Sequence, residues 1–198
     1  MVRLGFVFVG LLPFGVSALP SRTRACGRIG APYAILDISK ENTSEPAKPY
    51  DPYVVANQLV EKTGRKDGVA TILRFATPPG QANCMFTVNF PAARFSEVQI
   101  GGPGWQTPQL SISKLAHLNQ SNPSYDDLEI IPEPLGALTV QPGRYVFNSA
   151  QACGPAADFL VEIPSWISGN MGVSWKNDVH ADTNDIDKSF GMFVNCDC

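Results

Sequence analysis

The sequence predicts an all-β protein, an antiparallel β-sandwich of jelly-roll or Greek-key type with about 8–10 strands. Short runs of β-branched and aromatic residues recur at roughly ten-residue intervals, and several of them alternate apolar and polar residues. Glycine and proline, 17 of each, provide the turn signals between these runs. Long stretches with the helical period of 3.6 residues are scarce.

The amino terminus has the three parts of a secretory signal. Arg3 gives it a positive start, residues 4–16 are almost wholly apolar, and Ala18 ends a small-residue cleavage motif. The apolar run is too short to cross a bilayer as a stable helix. We therefore expect a signal peptide over residues 1–18 and a secreted mature protein. The alternative is a buried amino-terminal strand or helix.

The mature chain begins with ambiguous segments. Residues 19–31 are interpreted as a flexible leader to a single β-sandwich domain over residues 32–198, whose first strand spans 33–38. A polar loop with several prolines follows over 39–52. Residues 53–62 fit either a short helix that starts at Pro52 or a strand, and the strand is the preferred interpretation.

The remaining strands are clearer, and turn sequences such as Pro78-Pro79-Gly80 and Gln141-Pro142-Gly143 separate them. The hairpin over residues 138–146 has the sharpest pattern. The predicted strands are 69–76, 84–90, 95–100, 109–116, 135–140, 143–149, 157–163, 171–176 and 190–196.

All the cysteines follow the signal peptide, in a compartment where disulfides persist. They are Cys26, Cys84, Cys153, Cys196 and Cys198. Spacing does not fix the connectivity. Our working prediction is a Cys84–Cys153 bridge, with Cys26 bonded to Cys196 or Cys198.

Two Asn-x-Ser/Thr triplets begin at Asn42 and Asn119. If they are glycosylated in a secreted protein, these segments lie at the surface.

The charge balance excludes some partners. The formal net charge is −3 for the whole chain, and removal of Arg3 with the signal peptide makes it more negative. Nucleic acid requires a basic surface, and so does adsorption to anionic membranes. We therefore expect neither nucleic acid nor membrane as a partner.

One aromatic group is a candidate ligand platform. Trp105 follows the glycine-rich turn 101–104, and an indole ring can stack on the apolar face of a sugar. Tyr125 or Trp166 could extend the platform. The alternative is that these rings cap the end of the sandwich core.

The densest polar cluster spans residues 178–187. It offers hard oxygen ligands for calcium at Asp182, Asn184, Asp185 and Asp187. The order departs from an EF-hand loop, because Ile186 stands at a ligand position and no glycine follows at the bend. A solvated acidic loop is the alternative, so we expect no cofactor, with calcium as the one exception to test.

Catalytic motifs are missing. The chain has two histidines, His117 and His180, and no Gly-x-Ser-x-Gly elbow, phosphate loop or His-Glu-x-x-His helix. Asp126, Asp127 and Glu129 could serve glycoside hydrolysis, but neighbours on an extended chain point in opposite directions. We therefore favour a non-enzymatic protein.

Several motifs carry a resemblance to a known family. They are Thr71–Phe75, Cys84–Pro91, Leu138–Gly143, Cys153-Gly154 and the closing Gly191–Val194. In this order, over residues 68–198, they resemble the "ubiquitin 3 binding protein" C-terminal domain family. The resemblance implies a fungal source, a signal peptide and a β-sandwich, with no established catalytic residues. The ubiquitin link in the name is not carried over, because ubiquitin-like conjugation is cytosolic and nuclear, and Cys198 departs from the pattern.

The sequence therefore predicts a secreted, non-enzymatic β-sandwich protein of the extracellular space or cell wall. Its partner is expected to be a wall polysaccharide or an extracellular protein. The alternatives are a carbohydrate-binding module for wall glycan and, less favoured, a glycan-acting hydrolase.

Overall fold

The structure is an antiparallel β-sandwich, as the sequence predicts. It is a computed structural model that describes residues 29–50, 52–61, 66–76, 84–102, 107–148, 156–178 and 186–196. The predicted signal peptide, residues 1–18, lies outside these ranges. None of the described helices has the length and apolar character needed to cross a membrane.

The smaller sheet has four strands in the order β1-β13-β6-β10. Their bounds are Ile29–Gly30 (β1), Cys84–Phe90 (β6), Gly143–Asn148 (β10) and Gly191–Cys196 (β13). The central pair, β6 and β13, is in continuous register from Gly191 opposite Asn89 to Cys196 opposite Cys84.

The larger sheet has nine strands, and its main path runs β7-β12-β4-β5-β11-β8-β9, with β2 and β3 attached to it through β5. Their bounds are Ala34–Ser39 (β2), Lys48–Pro49 (β3), Tyr53–Val60 (β4), Lys66–Ala76 (β5), Gln99–Gly101 (β7), Gln109–Leu115 (β8), Ile130–Thr139 (β9), Ala156–Glu162 (β11) and Met171–Lys176 (β12). Three short 3-10 helices span Ala92–Glu97, Tyr125–Asp127 and Ile186–Lys188.

Aromatic rings from both sheets fill the main core. Phe86 of β6 lies with its ring centroid 4.6 Å from that of Phe159 on β11, and both rings are fully buried. Phe90 packs edge-on against Trp175 of β12 at 5.1 Å. These pairs hold the two sheets together, because aromatic rings dominate the area that a core buries.

A second cluster lies on the other side of the larger sheet. It contains Leu36 and Ile38 of β2, Ile72 of β5 and Leu160 of β11. The segments 40–50 and 116–129 contribute further members to it, and they bond to each other where the Ala47 N–H donates to the Pro123 carbonyl at 2.8 Å. The larger sheet is therefore covered on both faces in this region.

Most predicted strands are confirmed, including the strand chosen over a helix at 53–62, which is β4. The strand predicted at 95–100 is wrong over most of its length, because the 3-10 helix follows Pro91 and only Gln99–Gly101 pairs. Residues 29 and 30, assigned to the leader, form β1 against β13. The described strands include two with no predicted counterpart, β1 and β3, which are only two residues long and too short to leave a sequence pattern.

Candidate functional site

Three neighbouring strands of the larger sheet carry a groove on their outer side. The pairings of β4, β12 and β7 place Val55, Ser174 and Gln99 in one row across the strands. Asn57, Gly172 and Gly101 form the next row. These six residues, called here the groove face, line a depression of about 320 Å³.

Burial alternates along the strands that build the groove face. On β12, Met171, Val173 and Trp175 are buried, whereas Gly172 and Ser174 are only partly covered. The same alternation on β4 buries Val54 and Ala56. A period of two residues is what a strand with one core face requires, so the groove face lies on the side away from the main core.

Glycine leaves the space that forms the groove. A Cβ atom built on Gly172 would lie 3.4 Å from the Cβ of Asn57, which is ordinary contact. A Cβ atom therefore fits at Gly172, and a larger side chain would extend into the depression. The Asn57 amide is held in place, because its Oδ1 accepts the Val69 N–H at 2.8 Å.

Exposed tyrosines stand at one end of the groove face. Tyr53 lies on β4 two residues before Val55, opposite Lys176 of β12. Its side chain is 45% exposed, and its ring centroid is 5.9 Å from that of Tyr50. The surface therefore combines neutral amide and hydroxyl groups with exposed aromatic rings.

A second, smaller cavity of about 200 Å³ surrounds Asp37 of β2. Ser39, Glu45 and Lys48 also line it, and Glu45 forms an ion pair with Lys48. Burial raises the pKa of Asp37 from 3.8 to about 6. The Thr71 hydroxyl opposes this pKa shift only in part, because it lies 3.2 Å from Asp37 Oδ1 and 2.7 Å from the Val55 carbonyl.

Asp37→Asn is expected to stabilise the protein at neutral pH by about 1 kcal/mol, a value reduced for solvent screening of a half-buried group. The pKa of Asp37 is about 6 in the folded protein, against 3.8 for a free side chain. The contribution of Asp37 to the free energy of unfolding is therefore fully present below pH 3.8 and is lost as the pH rises through 6. Urea unfolding of both proteins at several pH values measures the difference. A stability difference that does not change between pH 4 and pH 7.5 would contradict this assignment.

The structure describes two of the three aromatic residues named from the sequence. Trp105 lies outside the described residues. Trp166 is 63% exposed on the loop between β11 and β12. Tyr125 is half-buried against the second cluster and donates to Glu162 at 3.3 Å. Burial raises the pKa of the Tyr125 hydroxyl to about 12.

The Trp166 loop meets the chain that leads to Trp105. Gly102 abuts Asn170, since a Cβ atom on Gly102 would lie 2.8 Å from the Asn170 carbonyl oxygen. Gln58 of β4 fixes the same loop by donating to the Ile167 carbonyl at 2.9 Å. The Trp166 loop therefore packs beside strands that carry the groove face.

The acids considered for hydrolysis have structural partners. Asp127 Oδ2 accepts the Ser124 hydroxyl at 2.6 Å, and this bond lowers the pKa of Asp127. Asp126 Oδ2 accepts the Thr43 hydroxyl at 3.1 Å. These contacts fix the 3-10 helix at Tyr125–Asp127 against the neighbouring segment.

Most of the residues predicted to bind calcium lie outside the described residues. Asp182, Asn184 and Asp185 are not described, and Asp187 Oδ1 accepts Arg144 Nη1 at 2.9 Å. Within the described ranges, no three His, Cys, Asp or Glu residues lie together as metal ligands.

The two predicted glycosylation sites, Asn42 and Asn119, are exposed. They lie in the segments that cover the second cluster.

Comparison with models of known families and with characterised proteins found no match to this chain. The resemblance to the "ubiquitin 3 binding protein" C-terminal domain family therefore stays a prediction.

Proposed function

We propose that this chain is a secreted, non-catalytic β-sandwich protein of the extracellular space or cell wall, and that it binds wall glycan through the groove face. The observation that carries the proposal is the glycine-floored groove across β4, β12 and β7, with Tyr53 and Tyr50 exposed at its end. Glycan binding is the first alternative that the sequence suggests, and the groove face is the surface proposed for it.

The chemistry of the groove suits a neutral polar polymer. Its lining includes the amides of Asn57 and Gln99 and the hydroxyl of Ser174, and it contains no ionisable side chain. Neutral hydrogen-bonding groups complement sugar hydroxyls, whereas phosphate or nucleic acid would require Lys or Arg. Aromatic rings at one end supply the apolar surface on which a sugar ring stacks.

The open shape favours a chain over a small molecule. Pockets for small ligands enclose most of the ligand surface, but this depression runs over the exposed side of three strands. A polysaccharide can cross the strands and extend beyond both ends. Tyr53 and Lys176 stand at the next position along the strands, where a further sugar unit would lie.

Tyr53→Ala is expected to weaken glycan retention roughly five- to tenfold, because one stacking surface is lost. Gly172→Val is expected to remove retention, since its side chain fills the groove without requiring unusual backbone angles. Affinity electrophoresis through gels that contain β-glucan, mannan or soluble chitin derivatives measures this.

Tyr33→Ala is the matched control, because Tyr33 is 55% exposed, lies beneath the Arg74 guanidinium and does not line the groove. Its retention is expected to equal that of the unmodified protein. Absence of retention on every glycan, with folded protein, rules out this function. Hydrolysis of any glycan in the same gels would favour the hydrolase alternative instead.

A further inference from the structure

The register of β6 and β13 brings two cysteines together. Cys196 is the Cα partner of Cys84 at the end of their continuous antiparallel ladder. We propose that these residues form a disulfide between the two central strands of the four-stranded sheet. Opposite residues in an antiparallel pair have Cα atoms about 4.5–5.5 Å apart, within the roughly 4.4–6.8 Å that a disulfide spans.

The two cysteines occupy register positions of the same parity as core residues on their strands. Phe86 and Val88, two and four positions after Cys84, are members of the main core. Val194 and Met192, two and four positions before Cys196, belong to the same core. Since positions alternate between faces along a strand, positions 84 and 196 fall in the same register row as these core residues.

This assignment competes with the Cys84–Cys153 bridge expected from the sequence. Cys153 lies outside the described residues, five positions after Asn148, where β10 ends opposite Met85. Cys84 lies one position beyond that last β10–β6 pair and directly opposite Cys196. Bonding to Cys196 therefore requires no change in strand pairing.

The proposal also narrows the choice for Cys26. The sequence predicts that Cys26 bonds to Cys196 or Cys198. If Cys196 is bonded to Cys84, Cys198 is the partner left for Cys26, and Cys153 stays a free thiol. Cys26, Cys153 and Cys198 all lie outside the described residues.

The oxidation step has a defined balance. Each thiol gives up one proton and one electron as the sulfur–sulfur bond forms. A protein disulfide of the secretory compartment, or oxidised glutathione, accepts both electrons and both protons by thiol–disulfide exchange. In cells this step rests on the proposed export, but purified reduced protein mixed with oxidised glutathione undergoes it without export.

Non-reducing digestion and mass spectrometry of the secreted chain test the assignment. A peptide pair that joins Cys84 to Cys196 is the expected result. A bond from Cys84 to Cys153, or alkylation of Cys84 as a free thiol, overturns it. The same mapping of folded protein reoxidised with oxidised glutathione separates a failure of pairing from a failure of export, and neither result depends on glycan binding.

Thermal unfolding adds a second readout. The bridge closes a loop of about 110 residues, so Cys84→Ser is expected to lower Tm by roughly 10–20 °C. Cys153→Ser is the control and is expected to leave Tm unchanged. The proposal is rejected if Cys153→Ser lowers Tm strongly and Cys84→Ser does not. This result would decide the matter even if the disulfide mapping gave no peptide pair.

Discussion

Asp158→Ala is expected to lower the free energy of unfolding by about 3–5 kcal/mol. The Asp158 side chain has no exposed surface and that of its partner Arg74 is 9% exposed, with Arg74 Nε 3.1 Å from Asp158 Oδ1. Asp158 Oδ2 also accepts the Leu118 N–H at 3.0 Å. Truncation leaves the Leu118 N–H without its acceptor and the buried Arg74 guanidinium without its counter-charge. Arg74 keeps the carbonyls of Leu118 and Gln120 as acceptors, but a buried charge without a counter-charge is costly.

Urea unfolding at neutral pH measures this loss. Arg144→Ala is the control, because Arg144 pairs with Asp187 at side-chain exposures of 47% and 80%. Exposed pairs contribute less than about 1 kcal/mol, so this variant is expected to stay close to the unmodified protein. Similar small losses in both variants would show that Asp158 is not buried as the structure has it.

Phe86→Ala alone is expected to lower the free energy of unfolding by about 3–5 kcal/mol. Phe86 contacts rings from both sheets, with centroids 4.6 Å from Phe159, 6.0 Å from Phe75 and 6.2 Å from Phe147. Its removal leaves a cavity at the junction of the two sheets. The surrounding rings are fixed by their strands and can collapse only in part.

Thermal unfolding with calorimetry tests this second prediction. Phe86→Leu keeps most of the apolar volume and is expected to cost less than half as much. Val146→Ala on the neighbouring strand β10 removes a side chain that is 51% exposed, and should change stability little. Equal effects of the three substitutions would argue against a core centred on Phe86.

The strands could be predicted because their alternation is local. In β12, Met171, Val173 and Trp175 alternate with Gly172 and Ser174, and the structure buries the first set. A strand as short as Lys48–Pro49 has no such pattern. It exists because β2 lies beside it, which is a tertiary effect that no local window of sequence contains.

The groove face could not be predicted from the sequence. Asn57, Gln99 and Gly172 lie far apart along the chain, and only the pairing of β7 and β4 with β12 joins them. Asp37 did leave a signal, since it stands between apolar residues in Ala34–Ser39. A carboxyl at that position implies either a partner or a raised pKa.

Glycan binding at the groove face is tested most directly by a nuclear magnetic resonance titration of the folded protein with soluble glycan oligosaccharides. We expect the backbone amide signals that shift to belong to the groove face, with Val55, Asn57, Gln99 and Ser174 moving most. The Tyr33 amide should not move. Shifts confined to the Asp37 cavity or to the second cluster, or no shifts with any oligosaccharide, would contradict the proposed binding surface.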